Sequence, residues 1–427
     1  MIRQFFSRFS MPPKISSDII WNFGSFVILA IIGILLNLTI TIFYGVAALG
    51  VFNQIYSIYI LASQIAVAGI HLSVLRHASQ YSSEPETLRA ILSAGILLSF
   101  IISIIIAFFV LLSRNLIGSM LGSEEVKTGL IFIIPALIFF SLNKVIMAYI
   151  NAKQHMKAYA VFQSLRYIIL YVCLILFKLV QPSNINIPVI FSLSEGLLSI
   201  GLMVYINKQL SYRNLSILVF WVKTHFLFGT KALWGNLVIE FNSRVDILIL
   251  GIFASDETTG IYSFASMLAN GLNQLPTVIA SVINPIITKT YFEKGKLELE
   301  LLLNKTKKYS YLFMAPIGIV ASLLFILIPY FWNNPVVVHG SIPFGILAFG
   351  FIISAGYQPL QMVLNQTGFP TKQSFYMFII FASSITLNFI FTPWLGMYGS
   401  ALAMLLLAGC QVFFLKRFIN STLSINI

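Results

Sequence analysis

Charged residues inside long apolar stretches are the first candidates for chemistry in this chain. The cations inside such stretches are Arg166, Arg244, Lys144 and Lys178, Arg76 lies just after one, and the acids are Glu195, Glu240 and Asp246. A charge at the centre of an apolar membrane helix costs about 2.5–3.5 kcal/mol on insertion scales, so such residues usually face a protein interior or a watery cavity. Guanidinium and ammonium groups in that setting are suited to binding phosphate oxygens.

Helical spacing divides the charges of the segment 234–263 into two groups. Glu240 and Arg244 are four residues apart, so one helix would place them on the same face, whereas Asp246 would point elsewhere. We expect Glu240 to pair with Arg244, either to let the helix insert or to line a cavity and exchange partners. Asp246 either bonds to a neighbouring helix or takes part in ion coupling.

The remaining charges have competing interpretations. Arg166 lies deep in its apolar stretch, and we expect its guanidinium to face a cavity and bind an anion. Lys144 either contacts the same anion or extends along its own methylene groups to the inner surface, and Arg76 either meets the anion there or anchors its helix. Glu195 has no cation four residues away, so it is either protonated, with a role in proton coupling, or paired across helices.

The composition requires a membrane setting for these charges. Of 427 residues, 58% are hydrophobic and 9% are charged, and the mean hydropathy is +0.92. We therefore predict an all-α polytopic membrane protein. Twelve transmembrane helices are expected, near residues 19–43, 49–73, 89–112, 129–150, 159–180, 187–206, 229–253, 258–288, 309–332, 341–365, 373–394 and 398–418.

The basic residues predict the orientation of these helices. Most of the 26 lysines and arginines fall in connections that lie on one side of the membrane if the twelve spans are correct. By the positive-inside rule both termini are then cytoplasmic. The net charge of +13 is accordingly interpreted as an orientation signal, and no nucleic-acid partner is expected.

A faint internal repeat divides the chain into halves. The turn at Gly50 matches that at Gly260, and Asn151 matches Asn365, with offsets of 210 to 214 residues. Six crossings per half give two parallel six-helix halves, with a central cavity expected between them. The predicted domains are residues 1–207, a cytoplasmic interfacial linker at 208–228, and residues 229–427.

The pattern R-V-D-I-L-I-L-G-I-F from Arg244, followed by T-G-I-Y-S from Thr259, resembles the multidrug/oligosaccharidyl-lipid/polysaccharide (MOP) exporter superfamily. Within it, the chain is similar to the O-antigen flippases of the Wzx type, which act in lipopolysaccharide biosynthesis in the bacterial inner membrane. The resemblance implies alternating-access transfer of an undecaprenyl-diphosphate-linked repeat unit to the periplasmic leaflet. It also implies that membrane lipids, a glycan polymerase and chain-length machinery are partners.

Two other functions stay open at this point. One is an ion-coupled multidrug exporter of the same superfamily, which would favour an acidic cavity. The other is a polytopic glycan polymerase or ligase, which would need a long periplasmic loop that the predicted spans do not leave. No Walker A, H-E-x-x-H or G-x-S-x-G motif occurs, so we expect no enzymatic activity and no cofactor. The isolated histidines and the apolar settings of Cys173 and Cys410 predict no metal site.

Overall fold

The computed structural model describes residues 13–180, 186–207, 210, 215–331 and 334–427, and nearly all of them are helical. In chain order, the first eight α-helices are α1 (Pro13–Tyr44), α2 (Val46–Val67), α3 (Ile70–Gln80), α4 (Pro85–Met120), α5 (Glu124–Gly129), α6 (Ile134–Ala152), α7 (Met156–Val180) and α8 (Val189–Ile206). They are followed by α9 (Leu215–Asn242), α10 (Val245–Phe253), α11 (Asp256–Leu272), α12 (Gln274–Lys294), α13 (Lys296–Phe331), α14 (Pro335–Ser354), α15 (Val363–Gln366) and α16 (Pro370–Leu423).

The predicted all-α polytopic architecture is confirmed. Nine helical stretches among the described residues are long and apolar enough to cross a membrane. The twelve predicted spans fit this set of helices, although several consist of two helices separated by a short break. The last two spans are joined in α16, whose backbone leaves the helical conformation at Gly396, where φ is 55°. Glycine adopts this left-handed conformation without the steric penalty that a side chain brings.

One of these breaks separates charged residues that the sequence places on a single helix. α9 ends at Asn242 and α10 begins at Val245, with Arg244 in a non-helical conformation (φ −134°) between them. The break falls inside the predicted span 229–253. In the other direction, α9 runs from Leu215 through the predicted linker, whose residues 208–209 and 211–214 lie outside the described part of the chain.

The chain forms two compact units, and each contains its own core. Unit 1 consists of the described residues of Met1–Tyr44 and Ile55–Leu237, and unit 2 consists of those of Gly45–Gln54 and Val238–Ile427. The first turns of α2 therefore belong to unit 2, and the boundary inside α9 falls after Leu237. The boundary between Tyr44 and Gly45 lies between two predicted spans, whereas the boundaries inside α2 and α9 fall within predicted spans.

In unit 1, the first part of α9 packs onto α3 and α4 through a buried histidine. The Nε2 atom of His225 lies 3.0 Å from the carbonyl oxygen of Ile91, and its Nδ1 atom lies 2.9 Å from the Ser73 hydroxyl. Burial lowers the pKa of His225 to about 4, so the ring is neutral at pH 7. Nε2–H must then donate to the carbonyl group, and Nδ1 accepts from Ser73. One neutral side chain thus joins three helices.

In unit 2, α2 and α11 cross at two glycines that the repeat predicts to be equivalent. A Cβ atom on Gly50 would overlap the carbonyl oxygen of Asp256, and one on Gly260 would overlap the carbonyl oxygen of Val46. Val46 and Asp256 have the same spacing as Gly50 and Gly260, so the two contacts are equivalent. Asn53 also donates a 2.9 Å hydrogen bond to Ser263, its own counterpart 210 residues away. The contacts that the two helices make at this crossing are therefore matched residue by residue.

We expect Gly50→Ala and Gly260→Ala each to destabilise the protein, because a methyl group would force the two backbones apart. Overpacking of this kind typically costs about 1–3 kcal/mol. The measurement is the thermal unfolding midpoint of the purified protein in detergent.

Gly409→Ala is the matched control, since a Cβ atom there meets nothing within 4 Å. Unfolding midpoints for Gly50→Ala and Gly260→Ala that equal the midpoint of this control would contradict the close crossing.

Candidate functional site

The predicted charged residues form a separate arrangement in each unit. In unit 1, Arg166 on α7 lies beside Glu195 on α8, with the Nε and Oε1 atoms 3.0 Å apart. The Arg166 side chain is 21% exposed and that of Glu195 is 5% exposed. Of the two alternatives left open for Glu195, pairing across helices is the one that the structure contains.

Asn143 on α6 completes the support of this carboxylate. Its amide nitrogen donates to Glu195 Oε2 over 2.7 Å and to the Glu195 carbonyl oxygen over 3.0 Å. The amide oxygen of Asn143 accepts from the Ser199 hydroxyl over 2.7 Å. The guanidinium of Arg166 also lies 4.9 Å from the ring centre of Phe140. Three helices and an aromatic ring therefore fix one ion pair, while Arg166 Nη2 finds no acceptor among the described residues.

The other two cations of unit 1 lie against polar or aromatic side chains. Lys144 donates a 2.9 Å hydrogen bond to Gln64 Oε1, and its ammonium group is 5.5 Å from the Phe140 ring centre. Arg76 lies 5.3 Å from the ring centre of Phe228 on α9. Phe140 thus contacts both Lys144 and Arg166, which brings two of the predicted cations of unit 1 to one ring.

In unit 2, Asp246 is buried in the first turn of α10 and bonds to the neighbouring helix α11. Its Oδ2 atom accepts from the Tyr262 hydroxyl over 2.8 Å and from the Ser266 hydroxyl over 3.3 Å. The sequence alternative of a bond to a neighbouring helix is present in this form. A role of Asp246 in ion coupling is a separate matter and stays a prediction.

The predicted pairing of Glu240 with Arg244 loses its helical basis. Glu240 is in the last turn of α9, and Arg244 precedes α10 across the break, so the two residues do not share an uninterrupted helix face. The pairing stays a prediction without that support. The break instead places Arg244 at the start of the short helix that carries Asp246.

Sequence reasoning missed the neutral partners of these charges. Asn143 adjoins Lys144, and Ser199 lies four residues after Glu195, so helical spacing was a usable signal for Ser199. Tyr262 and Ser266 are likewise four residues apart on one face of α11. Single-helix spacing could not show which neighbouring helix each would meet.

The family model described as polysaccharide biosynthesis protein matches residues 15–291, which is more than half of the chain. The chain belongs to the polysaccharide biosynthesis protein family. No curated protein matches this member of the family.

Solved transporters have the same fold as this polysaccharide biosynthesis family member. The inward closed lipid II flippase MurJ is 18% identical over 94% of this chain and 87% of its own, with a TM-score of 0.77. An inward-facing MATE multidrug transporter is 14% identical over 94% of this chain and 95% of its own, with a TM-score of 0.69. A Vibrio cholerae MATE transporter is 13% identical over 96% and 99%, with a TM-score of 0.63. At these identities the likeness shows the MOP-type fold, and the protein is a multi-pass membrane protein.

The buried pair of Arg166 and Glu195 predicts strong coupling in a double-mutant cycle. Arg166→Met and Glu195→Gln should each cost about 3–5 kcal/mol, because each leaves a buried charge without its partner. The double variant removes both charges, so its cost should be well below the sum of the single costs. The measurement is the free energy of unfolding in detergent.

Arg89 and Glu86 provide the control cycle, since their 3.2 Å pair on α4 is largely exposed. Exposed pairs of this kind couple by about 1 kcal/mol or less. Additive costs at Arg166 and Glu195 would mean that the pair is not a coupled unit.

Proposed function

We propose that this protein is a flippase for an undecaprenyl-diphosphate-linked O-antigen repeat unit or a related polysaccharide repeat unit. It moves the unit from the cytoplasmic to the periplasmic leaflet of the bacterial inner membrane by alternating access. The observation that carries the proposal is the family match over residues 15–291, which associates the chain with polysaccharide biosynthesis. The likeness to the lipid II flippase adds a fold used for a lipid-linked substrate.

The charged network of unit 1 supplies chemistry suited to such a substrate. Arg166 has a guanidinium donor without an acceptor among the described residues, and Lys144 contacts the same Phe140 ring. Guanidinium groups bind phosphate oxygens in pairs of parallel hydrogen bonds. In this proposal the diphosphate takes over part of the interaction that Glu195 makes with Arg166. Arg76 and Arg244 are the further proposed substrate contacts.

The acids have a complementary role in the proposal. Glu195 releases Arg166 to the diphosphate and recovers it when the substrate leaves, so that the cation is compensated at every stage. Asp246 and Glu240 in unit 2 are the proposed ion-coupling or charge-pairing groups. Polymerase and chain-length proteins would receive the product, and both termini would be cytoplasmic.

An ion-coupled multidrug exporter is the alternative, because solved MATE transporters have the same fold. Fold alone does not assign a substrate. The two functions differ in the sign of charge they require, since a cationic drug would be repelled by Arg166 and Lys144, whereas a diphosphate would be attracted.

We expect deletion of the gene to leave lipid-linked repeat units in the cytoplasmic leaflet and to abolish the surface glycan. Wild-type protein should restore the glycan, and Arg166→Glu should not, because it replaces the proposed anion-binding cation with an anion. The measurement is surface glycan by immunoblot, together with extracted lipid-linked repeat units.

Two further variants separate transport from folding. Arg166→Glu combined with Glu195→Arg keeps an ion pair and should recover membrane abundance while the displaced guanidinium still fails to support export. Lys305→Glu changes an exposed cation outside the network and should behave as the wild type. Unaltered surface glycan in the deletion strain would refute the flippase proposal.

A further inference from the structure

Unit 2 has an open cleft between α12 and α15 that the charged networks do not use. Its volume is about 750 Å³, and its lining includes Asn284, Thr288, Lys289, Phe292 and Gln366. The Thr288 hydroxyl donates to Gln366 Oε1 over 2.8 Å. This bond uses the amide oxygen of Gln366, so its amide nitrogen is the group that can donate a hydrogen bond to a ligand in the cleft. The side-chain oxygen of Asn284 is buried and accepts no hydrogen bond from another described residue.

The internal repeat identifies the equivalent surface in unit 1. α4 and α13 both contain 36 residues and begin at Pro85 and Lys296, which sets the offset in this part of the chain. The same offset places Ser73, His77 and Tyr81 opposite Asn284, Thr288 and Phe292. Both sets have four-residue spacing and lie along one helix face.

In unit 1 this face is covered by α9. Trp221 packs edge-on against His77 and Tyr81, with ring centres 5.3 and 5.6 Å apart, and His225 bonds to Ser73. No described residue covers the counterpart in unit 2 in this way, and the side chain of Phe292 is 68% exposed. The same helix face therefore occurs in both units, and only the copy in unit 1 is covered by a described helix.

The side chains beside this face are apolar in unit 1 and polar in unit 2. Ala78 and Ala152 belong to the buried core of unit 1. At the offset of 211, Ala78 corresponds to Lys289, whose side chain is 70% exposed. At the offset of 214 that aligns Asn151 with Asn365, Ala152 corresponds to Gln366. An alanine surface that suits helix packing is thus replaced by hydrogen-bonding groups, which favours a polar ligand over a packed helix.

We propose that this cleft binds a sugar unit of the lipid-linked substrate. The ring of Phe292 offers a flat apolar surface for the C–H face of a pyranose. The amides of Asn284 and Gln366 offer an acceptor and a donor for sugar hydroxyl groups, and the volume is within the usual range for small-ligand sites. The inference rests on the proposed flippase function and concerns unit 2 alone.

Cysteine protection tests this assignment directly. Lys289→Cys is made in a Cys173→Ala and Cys410→Ala background and labelled with a membrane-impermeant maleimide in inverted vesicles. Vesicles from cells that assemble the repeat unit are compared with vesicles from cells that lack the first sugar transferase. Labelling should be about tenfold slower in the former if the unit is present at about ten times its dissociation constant. Lys305→Cys is the control and should label equally in both.

The outcomes separate the cleft from the proposed function. Equal labelling of Lys289→Cys in both vesicle types would overturn the sugar site, and slow labelling in both would indicate a covering protein helix instead. If either of these labelling results occurs while the deletion strain loses its surface glycan, the sugar site is rejected and the flippase proposal is not.

Phe292 provides a second measurement that does not depend on labelling. Phe292→Ala should lower surface glycan several-fold at normal membrane abundance, whereas Phe292→Trp, which keeps an aromatic surface, should retain it. Phe413→Ala removes another exposed ring, outside the cleft, and should have no effect. Equal glycan levels for Phe292→Ala and Phe413→Ala would also overturn the sugar site.

Discussion

A charge buried in an apolar protein must be compensated, and the ion pair of Arg166 and Glu195 is the clearest consequence of that requirement here. The pair joins α7 to α8, and Asn143 and Ser199 extend it to α6 by hydrogen bonds of 2.7 Å. Because separating two buried charges is costly, any movement of these helices has to supply a new partner for Arg166. A diphosphate can be that partner. In the proposed function, the same constraint that stabilises the unit would link helix movement to an anionic substrate.

The internal repeat supplies a symmetric scaffold that the protein then uses unequally. Gly50 and Gly260 lie where α2 crosses α11, and their matching contacts leave no room for a side chain at either position. Away from this crossing the two copies differ. One copy of the face on α3 and α12 is closed by Trp221 and His225, and the other is open around Phe292. The two copies of one surface therefore differ in what covers them: one packs against α9, and the other is open.

The sequence was sufficient to predict the fold class, because long apolar segments have few structural options in a membrane. It was also sufficient to find Arg166, Glu195 and Asp246, since charges are rare in such segments. The partners of these residues could not be predicted, because helical periodicity reports the face of one helix and not its neighbour. The break between Asn242 and Val245 was missed because the polar residues between Glu240 and Asp246 were interpreted as charges inside one continuous helix. Polar composition alone does not show whether a helix stops at such a stretch.

Reconstitution of the purified protein into liposomes tests the transport claim most directly. The vesicles carry the undecaprenyl-diphosphate-linked repeat unit, and movement between leaflets is followed by accessibility of its sugars to an added lectin. We predict that the unit changes leaflet far faster with wild-type protein than in protein-free vesicles, and that the variant with Arg166→Glu and Glu195→Arg gives no such acceleration. Movement at the protein-free rate with wild-type protein, or equal movement with the exchanged pair, would contradict this prediction.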